Sequence, residues 1–375
     1  MRTLFLTTVS LFCCTFFSSA YAAYTIKDGK LIPTHEIATL SAQEHFSKLK
    51  KAIDDRKWED VILQSNILMR NFPDSPFSAD SNYYLGIGYF HIGELERSNS
   101  KFTEYLKNQS APTYFEEAIT YKFKIADSYK EGAKKHILGL EVLPKWLPAK
   151  EEALEIYEEV LVAMPHSELA TQALFGKAQL LFATKEFKAS IDTYQSLIRK
   201  FNKHPLACES YIGIGKVFLT QCLKEYPDPD FLDLAKLNLK KFTADFPNEP
   251  RISIAESMLD KMNEVYAGTL YQTAQFYERT KKQSASAIYY NKIIAKYPLT
   301  KVANNSEKRL ASLEKKLKRP LRDNGELHIQ ESDVVNNNLD SEVVSTEDNS
   351  SANQDQLVTS ITGDLDQLSE KESEK

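Results

Sequence analysis

Cysteine is nearly missing from this chain: of four, Cys13 and Cys14 sit close to the N-terminus, which leaves Cys208 and Cys222. These two fall within one helical pattern, where their separation corresponds to about 21 Å of rise, too far for a disulfide. A disulfide scaffold is excluded and two inert thiols are expected. Past the N-terminus no run approaches the roughly 20 apolar residues of a membrane span. The seven histidines are scattered without ligand spacing. His35-Glu36-Ile37-Ala38-Thr39 lacks the second histidine of a zinc-protease helix. Gly86-Ile87-Gly88 and Gly213-Ile214-Gly215 lack the third glycine of a dinucleotide loop and lie inside helical patterns, where close packing explains them. Asp228, Asp230 and Asp233 flank a proline, which suits turn chemistry and capping better than a cation site. Lysine and arginine are dispersed, which argues against nucleic acid. No catalytic constellation, metal or cofactor is expected.

The chain has 375 residues, 42% hydrophobic and 26% charged, enough for a sizeable core. It opens with Arg2, an apolar run from Leu4 to Phe17 and the small-residue pattern Ala20-Tyr21-Ala22, which reads as a secretory signal over residues 1–22. A rival reading places lipidation at Cys14, with Leu11 three residues before it. Residues 23–40 read as an extended segment.

From residue 41 the sequence repeats. Six segments read as second helices of hairpins: "KWEDVILQSNILMRNFP", "ELERSNSKFTEYLKNQS", "KEEALEIYEEVLVAMPH", "EFKASIDTYQSLIRKFN", "DLAKLNLKKFTADFP" and "SASAIYYNKIIAKYP". In five of them a small residue (Ser98, Ala153, Ser190, Ala235, Ser286) stands four before a large one (Phe102, Tyr157, Tyr194, Leu239, Tyr290). That spacing puts both on one helical face, so a neighbouring helix approaches at the first and packs on the second. The preceding partner helix is clearest in "SNYYLGIGYFHIG", where Leu85, Gly86 and Tyr89 mark a tight face. "LYQTAQFYERT" places Leu270, Ala274 and Tyr277 in the same register. Ser75-Pro76 reads as an N-cap with proline at the first helical position, and Ser41 with Glu44 or Thr113 with Glu116 as capping boxes. A helix pair of about 34 residues with this code and a closing proline resembles the tetratricopeptide repeat, without its usual tryptophan.

The expected fold is therefore all-α: a solenoid of about six hairpins over residues 41–319, ending in a basic capping helix, "KRLASLEKKLKRP". Insertions stand at residues 131–150 and 224–233, where hairpins join. The first carries Trp146 between two prolines, either a contact residue or one tucked onto adjacent helices. Beyond Pro320 the composition turns polar and acidic, and residues 320–375 read as a disordered tail. Acidic residues exceed basic ones there by about 11, so a formal net charge of -5 conceals a body of about +6.

An exported stack of such repeats resembles the BamD family, the periplasmic subunit of the machine that folds outer-membrane β-barrel proteins. The resemblance spans residues 40 to 315. It is most specific in "NFPDSPFSADSNYYLGIGYFHIGELERSNSKFTEYL" and "EVYAGTLYQTAQFYERTKKQSASAIYYNKIIAKYPLTKVANNSEKRL". It implies a non-enzymatic scaffold at the inner face of the outer membrane, with unfolded barrel proteins met by the N-terminal repeats and the barrel-forming subunit by the C-terminal ones. Membrane association would run through partners or a lipid anchor. The family has an acylated cysteine, usually five repeats and no long acidic tail. A different role, a soluble periplasmic adaptor coordinating envelope biogenesis, also fits.

If Leu85, Gly86 and Tyr89 are spent on packing, then Tyr83, Ile87 and Phe90 turn toward the concave interior with His91 beside them. Phe123, Asp127 and Lys130 take the equivalent face of the next hairpin. Such a groove suits an extended segment ending in an aromatic. The alternative is that these aromatics meet their own neighbouring helices.

Overall fold

The computed structural model describes residues 24–27, 30–108, 110–137, 143–224 and 228–317. Residues 1–22, expected to be a signal and including Cys13 and Cys14, and the acidic residues 320–375 lie outside them. Two compact units divide the chain, Met1–Ser210 and Tyr211–Lys375.

The first unit begins with a β-hairpin of β1 (Tyr24–Lys27) and β2 (Lys30–Pro33), followed by a short 3-10 turn. The segment is pinned rather than loose. Glu36 is buried, pairs with Arg70 at 2.8 Å and accepts from the Asn66 amide, while Asn71 donates to its carbonyl. Helices α1 (Ala42–Asp54), α2 (Trp58–Asn71), the short α3 (Pro76–Ala79), α4 (Ser81–His91), α5 (Leu95–Asn108) and α6 (Phe115–Lys130) follow. After β3 (Lys134–His136) and β4 (Lys145–Pro148) come α7 (Lys150–Ala163), α8 (Glu168–Ala183) and α9 (Phe187–Lys200). Helix α10 (Pro205–Lys224) carries the boundary between units, and α11 (Pro229–Asp245), α12 (Ile252–Arg279), α13 (Gln283–Lys296) and α14 (Lys301–Leu317) complete the second. Six hairpins and a closing helix bear out the expected fold, and α14 packs on both α12 and α13. Among the described residues β1–β2 precedes the helical body, and β3–β4 is a small hairpin within the expected insertion at residues 131–150.

The hairpins turn by one recurring device. Arg56, Gly93, Lys185 and Lys281 all have positive φ. The next residue's N–H reaches back five positions, Lys57 to Ala52, Glu94 to Tyr89, Glu186 to Leu181 and Lys282 to Tyr277. This left-handed cap satisfies carbonyls that the ending helix leaves open. Between hairpins the helix stops at Phe72, Met164, Phe201, Phe246 and Tyr297, whose φ lies between -136 and -130 and ψ between 50 and 67. Four of the five precede proline, which forces its predecessor out of the helical region. Phe201 precedes Asn202 and adopts the same angles without a proline. Ser75 and Ser167 then cap the next helices, and Ser41 with Glu44 forms the expected capping box. The expected Thr113 box does not form, because α6 starts one residue later with Tyr114 as its uncapped N-cap.

The small-large code is resolved as close packing. A Cβ on Gly86 would stand 2.7 Å from the Phe102 ring, and one on Gly176 2.7 Å from the Tyr157 hydroxyl. Buried tyrosines find acids at the rim: Tyr105 donates to Asp80, Tyr157 to Asp127, Tyr211 to Asp245 and Tyr290 to Glu278. The fifth copy departs from its expected register. Leu239 is only half-buried; instead Phe242 fills the core, stacked 5.1 Å from Tyr211, and Asn238 donates to the Tyr211 carbonyl. Cys208 and Cys222 are buried thiols not joined in a disulfide, as expected, and burial pushes the Cys222 thiol up to about 11. Asp228 caps α11 by accepting from the Asp230 N–H, and Asp233 pairs with Lys236, which accounts for the acidic turn.

Candidate partner-binding surface

Helix α4 is apolar almost all round, because it is wedged against α2, α5 and α6 at once. Every residue from Tyr83 to Gly88 is buried. The expected groove positions therefore divide. Tyr83 and Ile87 are each 7% exposed and belong to the core, with Tyr83 stacked on Tyr114 at 4.4 Å. Burial holds the Tyr83 hydroxyl well above the usual phenol range. Tyr89, assigned to packing, is instead half-exposed beneath the Arg97 guanidinium, 5.2 Å from its ring. The expected face was out of phase because it assumed one packed side, and this helix has three.

Phe90 and His91 do reach the surface. His91 lies flat on Trp58 at 3.8 Å, and Phe90 meets the edge of Tyr121 at 5.2 Å. Lys124 sits 5.0 Å over the Tyr121 ring. Partial burial, helped by Lys124 and Arg56, lowers the His91 pKa, so the ring is neutral near pH 7 and presents itself as an aromatic. Trp58, His91, Phe90 and Tyr121 form a half-exposed aromatic strip with a cationic edge.

Phe123, Asp127 and Lys130 do not join this strip. Two positions along a helix correspond to a turn of about 200°, so Phe123 stands opposite Tyr121 on α6. Phe123 packs near Tyr157 at 6.0 Å; Asp127 accepts from the Tyr157 hydroxyl and pairs with Lys130 at 2.6 Å. Those three are tied into the contact between α6 and α7. Beside them on α6, Lys122 is buried and spends its ammonium on Asn99, Thr103 and Glu159, pinning α5, α6 and α7 together.

Two further aromatic groups lie outside the expected groove, and only the first went unmarked in the sequence. The first is at the N-terminal end, where half-buried Phe46 and Phe77 stack at 4.9 Å, and Lys50 donates to the Tyr84 hydroxyl at 2.7 Å while lying over the Phe46 ring. The spacing of Phe46 and Lys50, four apart on α1, is the signal that was there to find. The second is Trp146, 68% exposed on β4. It does not tuck onto the helices. Its hairpin is held by Lys145, which reaches Glu94 at 2.9 Å and the Gly93 carbonyl at 2.7 Å, by His136 on Glu94, and by Lys135 on Glu152. The clamp fixes the backbone and leaves the indole outside.

Among the described residues no group of three or more His, Cys, Asp or Glu gathers as a metal site, and no helix is long and apolar enough to cross a membrane.

Residues 149–323 match the outer membrane lipoprotein family YfiO. The match takes in α7 to α14 and bears out the resemblance to the BamD family. No curated protein matches the chain. Among solved structures it is similar to a tetratricopeptide repeat protein of Parabacteroides merdae, at 14% identity over 73% of this chain and 98% of that one, with a TM-score of 0.33. It is also similar to a thermophilic TPR protein of Thermus thermophilus, at 11% identity over 58% and 99%, with a TM-score of 0.28. A further likeness is to the TPR2AB domain of yeast Sti1 complexed with pHSP90, at 11% identity over 73% and 98%, with a TM-score of 0.27.

Proposed function

We infer that the chain is a non-enzymatic scaffold of the machinery that inserts β-barrel proteins into the outer membrane, working on its periplasmic side. The observation that carries this reading is the YfiO match over residues 149–323. In this reading the repeats over residues 41–319 form the working body. The C-terminal hairpins meet the barrel-forming subunit, and the aromatic strip of Trp58, Phe90, His91 and Tyr121 meets extended segments of unfolded barrel proteins. The strip is suited to such segments because rings offer sequence-tolerant contact area at low entropic cost, and Lys124 and Arg56 favour a terminal carboxylate.

The test is depletion of the chain in its own cell, followed by the amount of folded, heat-modifiable barrel protein in the outer membrane. A several-fold fall, with unfolded precursor accumulating, is expected. Unchanged barrel protein with altered envelope growth would instead support a soluble adaptor. Mass spectrometry of the mature N-terminus separates a lipid on Cys14 from cleavage after Ala22.

A further inference from the structure

A groove of about 480 Å³ opens on the second unit, where α11, α12 and the turn between α13 and α14 meet. Lys236, Lys261, Lys296 and Lys301 line it against two acids, Asp260 and Glu264. Glu264 is already spent, since it accepts the N–H groups of Lys301 and Val302 at the start of α14. Lys236 is paired with Asp233. Lys261, Lys296 and Lys301 make no ion pair among the described residues, so the groove is left with a net positive field.

Leu299, at its mouth, is 95% exposed. The equivalent residue in the other turns between hairpins is polar: Asp74, His166, Lys203 and Asn248. The turn itself therefore has no need of an aliphatic side chain. An exposed leucine beside unpaired lysines marks a surface for a segment both acidic and apolar.

The geometry points to this groove as the docking site of the chain's own C-terminal segment, residues 355–374. That segment carries Asp355, Asp364, Asp366, Glu370, Glu372 and Glu374 against Lys371 alone. Its Leu357, Ile361, Leu365 and Leu368 recur at the spacing of one helical face. Reach is no obstacle. Leu317 ends α14 about 25 Å from the groove at 1.5 Å per residue, whereas the chain leading on to Asp355 can extend to about 125 Å. Tethering supplies an effective concentration of order millimolar, so weak electrostatic contacts suffice. The docked segment competes with any acidic partner for the same lysines. This proposal stands on charge and reach and does not depend on the barrel-assembly reading.

Zero-length carbodiimide coupling of the full chain, read by mass spectrometry, tests it. Amide links from Lys296 and Lys301 to carboxylates of residues 355–374 are expected to dominate the links made by that segment. They fall about five-fold or more in 1 M salt, where the Debye length is about 3 Å. They fall similarly in the Lys236→Glu, Lys261→Glu variant, whose circular dichroism stays unchanged because neither side chain is buried. Links scattered over lysines of both units in proportion to exposure overturn the proposal. So do links found only between molecules when isotopically light and heavy chains are mixed.

Discussion

The Ser98 hydroxyl donates to the Gly86 carbonyl at 2.8 Å, across the two helices of one hairpin and 12 residues apart in the chain. The same bond recurs at the same separation from Ser190 to Ala178 and from Ser286 to Ala274. All three serines are fully buried. The small member of the code is thus more than small: in three hairpins it is a polar clasp that fixes the register of one helix on the other. Ala153 keeps the close approach without the hydroxyl, and in the fifth hairpin the Asn238 amide donates to the Tyr211 carbonyl instead.

Replacing Ser190 by alanine should cost about 1 kcal/mol, the net worth of one intramolecular hydrogen bond. Replacing it by valine should cost more, since overpacking adds about 1–3 kcal/mol. Denaturant melts of the two variants check this. Equal stability of wild type and Ser190→Ala would remove the clasp.

Lys185 and Lys281 hold the left-handed caps at φ 67 and 61 with a side chain in place, where Gly93 does so without one. A left-handed residue with a Cβ costs roughly 1–2 kcal/mol, part of which glycine returns through its freer unfolded chain. Lys185→Gly and Lys281→Gly should each raise the melting temperature, by about 0.5–1 kcal/mol of stability. A fall in both would mean that these lysines hold the turn by contacts of their own.

What the sequence made legible was whatever one helical face could carry. Ser98 four before Phe102, or Ser286 four before Tyr290, is a local pattern, and the chain stops before proline for a local reason. The unread part depended on neighbours. The faces of α4 could not be sorted because every face is apolar and packed, so Tyr83 and Ile87 looked no different from Phe90. Leu239 and Phe242 are both large and both helical, and only Tyr211 on the partner helix decides between them. Left-handed turns at Arg56 and Lys185 lacked the glycine that usually announces them. Trp146 lies in a short insertion whose strands are fixed by Glu94, some 50 residues away, which no local window sees.

His136 is held by two acceptors, with Nδ1 on the Leu143 carbonyl at 2.6 Å and Nε2 on Glu94 at 3.1 Å. Both ring nitrogens donate only when the ring is protonated. The Leu143 carbonyl and then Glu94 accordingly raise its pKa, against Lys145 on the same carboxylate. Glu96, which accepts the His136 backbone N–H, adds negative charge nearby. Because the folded value lies above the unfolded value of about 6.5, this contribution is fully present below that pH and is lost as pH rises through the folded value. The His136 ring should titrate above 6.5 by NMR, and Glu94→Gln should lower its midpoint. A midpoint at or below 6.5 in the folded wild type would show that the clamp does not need the charge.

Tyr83 and Phe90 separate core from surface most directly. Tyr83 is buried against Tyr114, Tyr105 and Phe102, so Tyr83→Ser should cost about 3–5 kcal/mol and leave little folded protein. Phe90 is half-exposed at the end of α4, with Tyr121 as its main ring neighbour, so Phe90→Ser should cost about 1–2 kcal/mol and leave a folded chain. If the strip receives extended segments, that folded variant should crosslink to a barrel-protein C-terminal peptide several-fold less than wild type. His91→Ser, which uncovers the Trp58 face, should do the same with little change in melting temperature. Crosslinking at wild-type level in both folded variants would take the strip out of substrate binding and leave Trp146, or the N-terminal group around Phe46 and Phe77, as the surface to examine by the same pair of measurements.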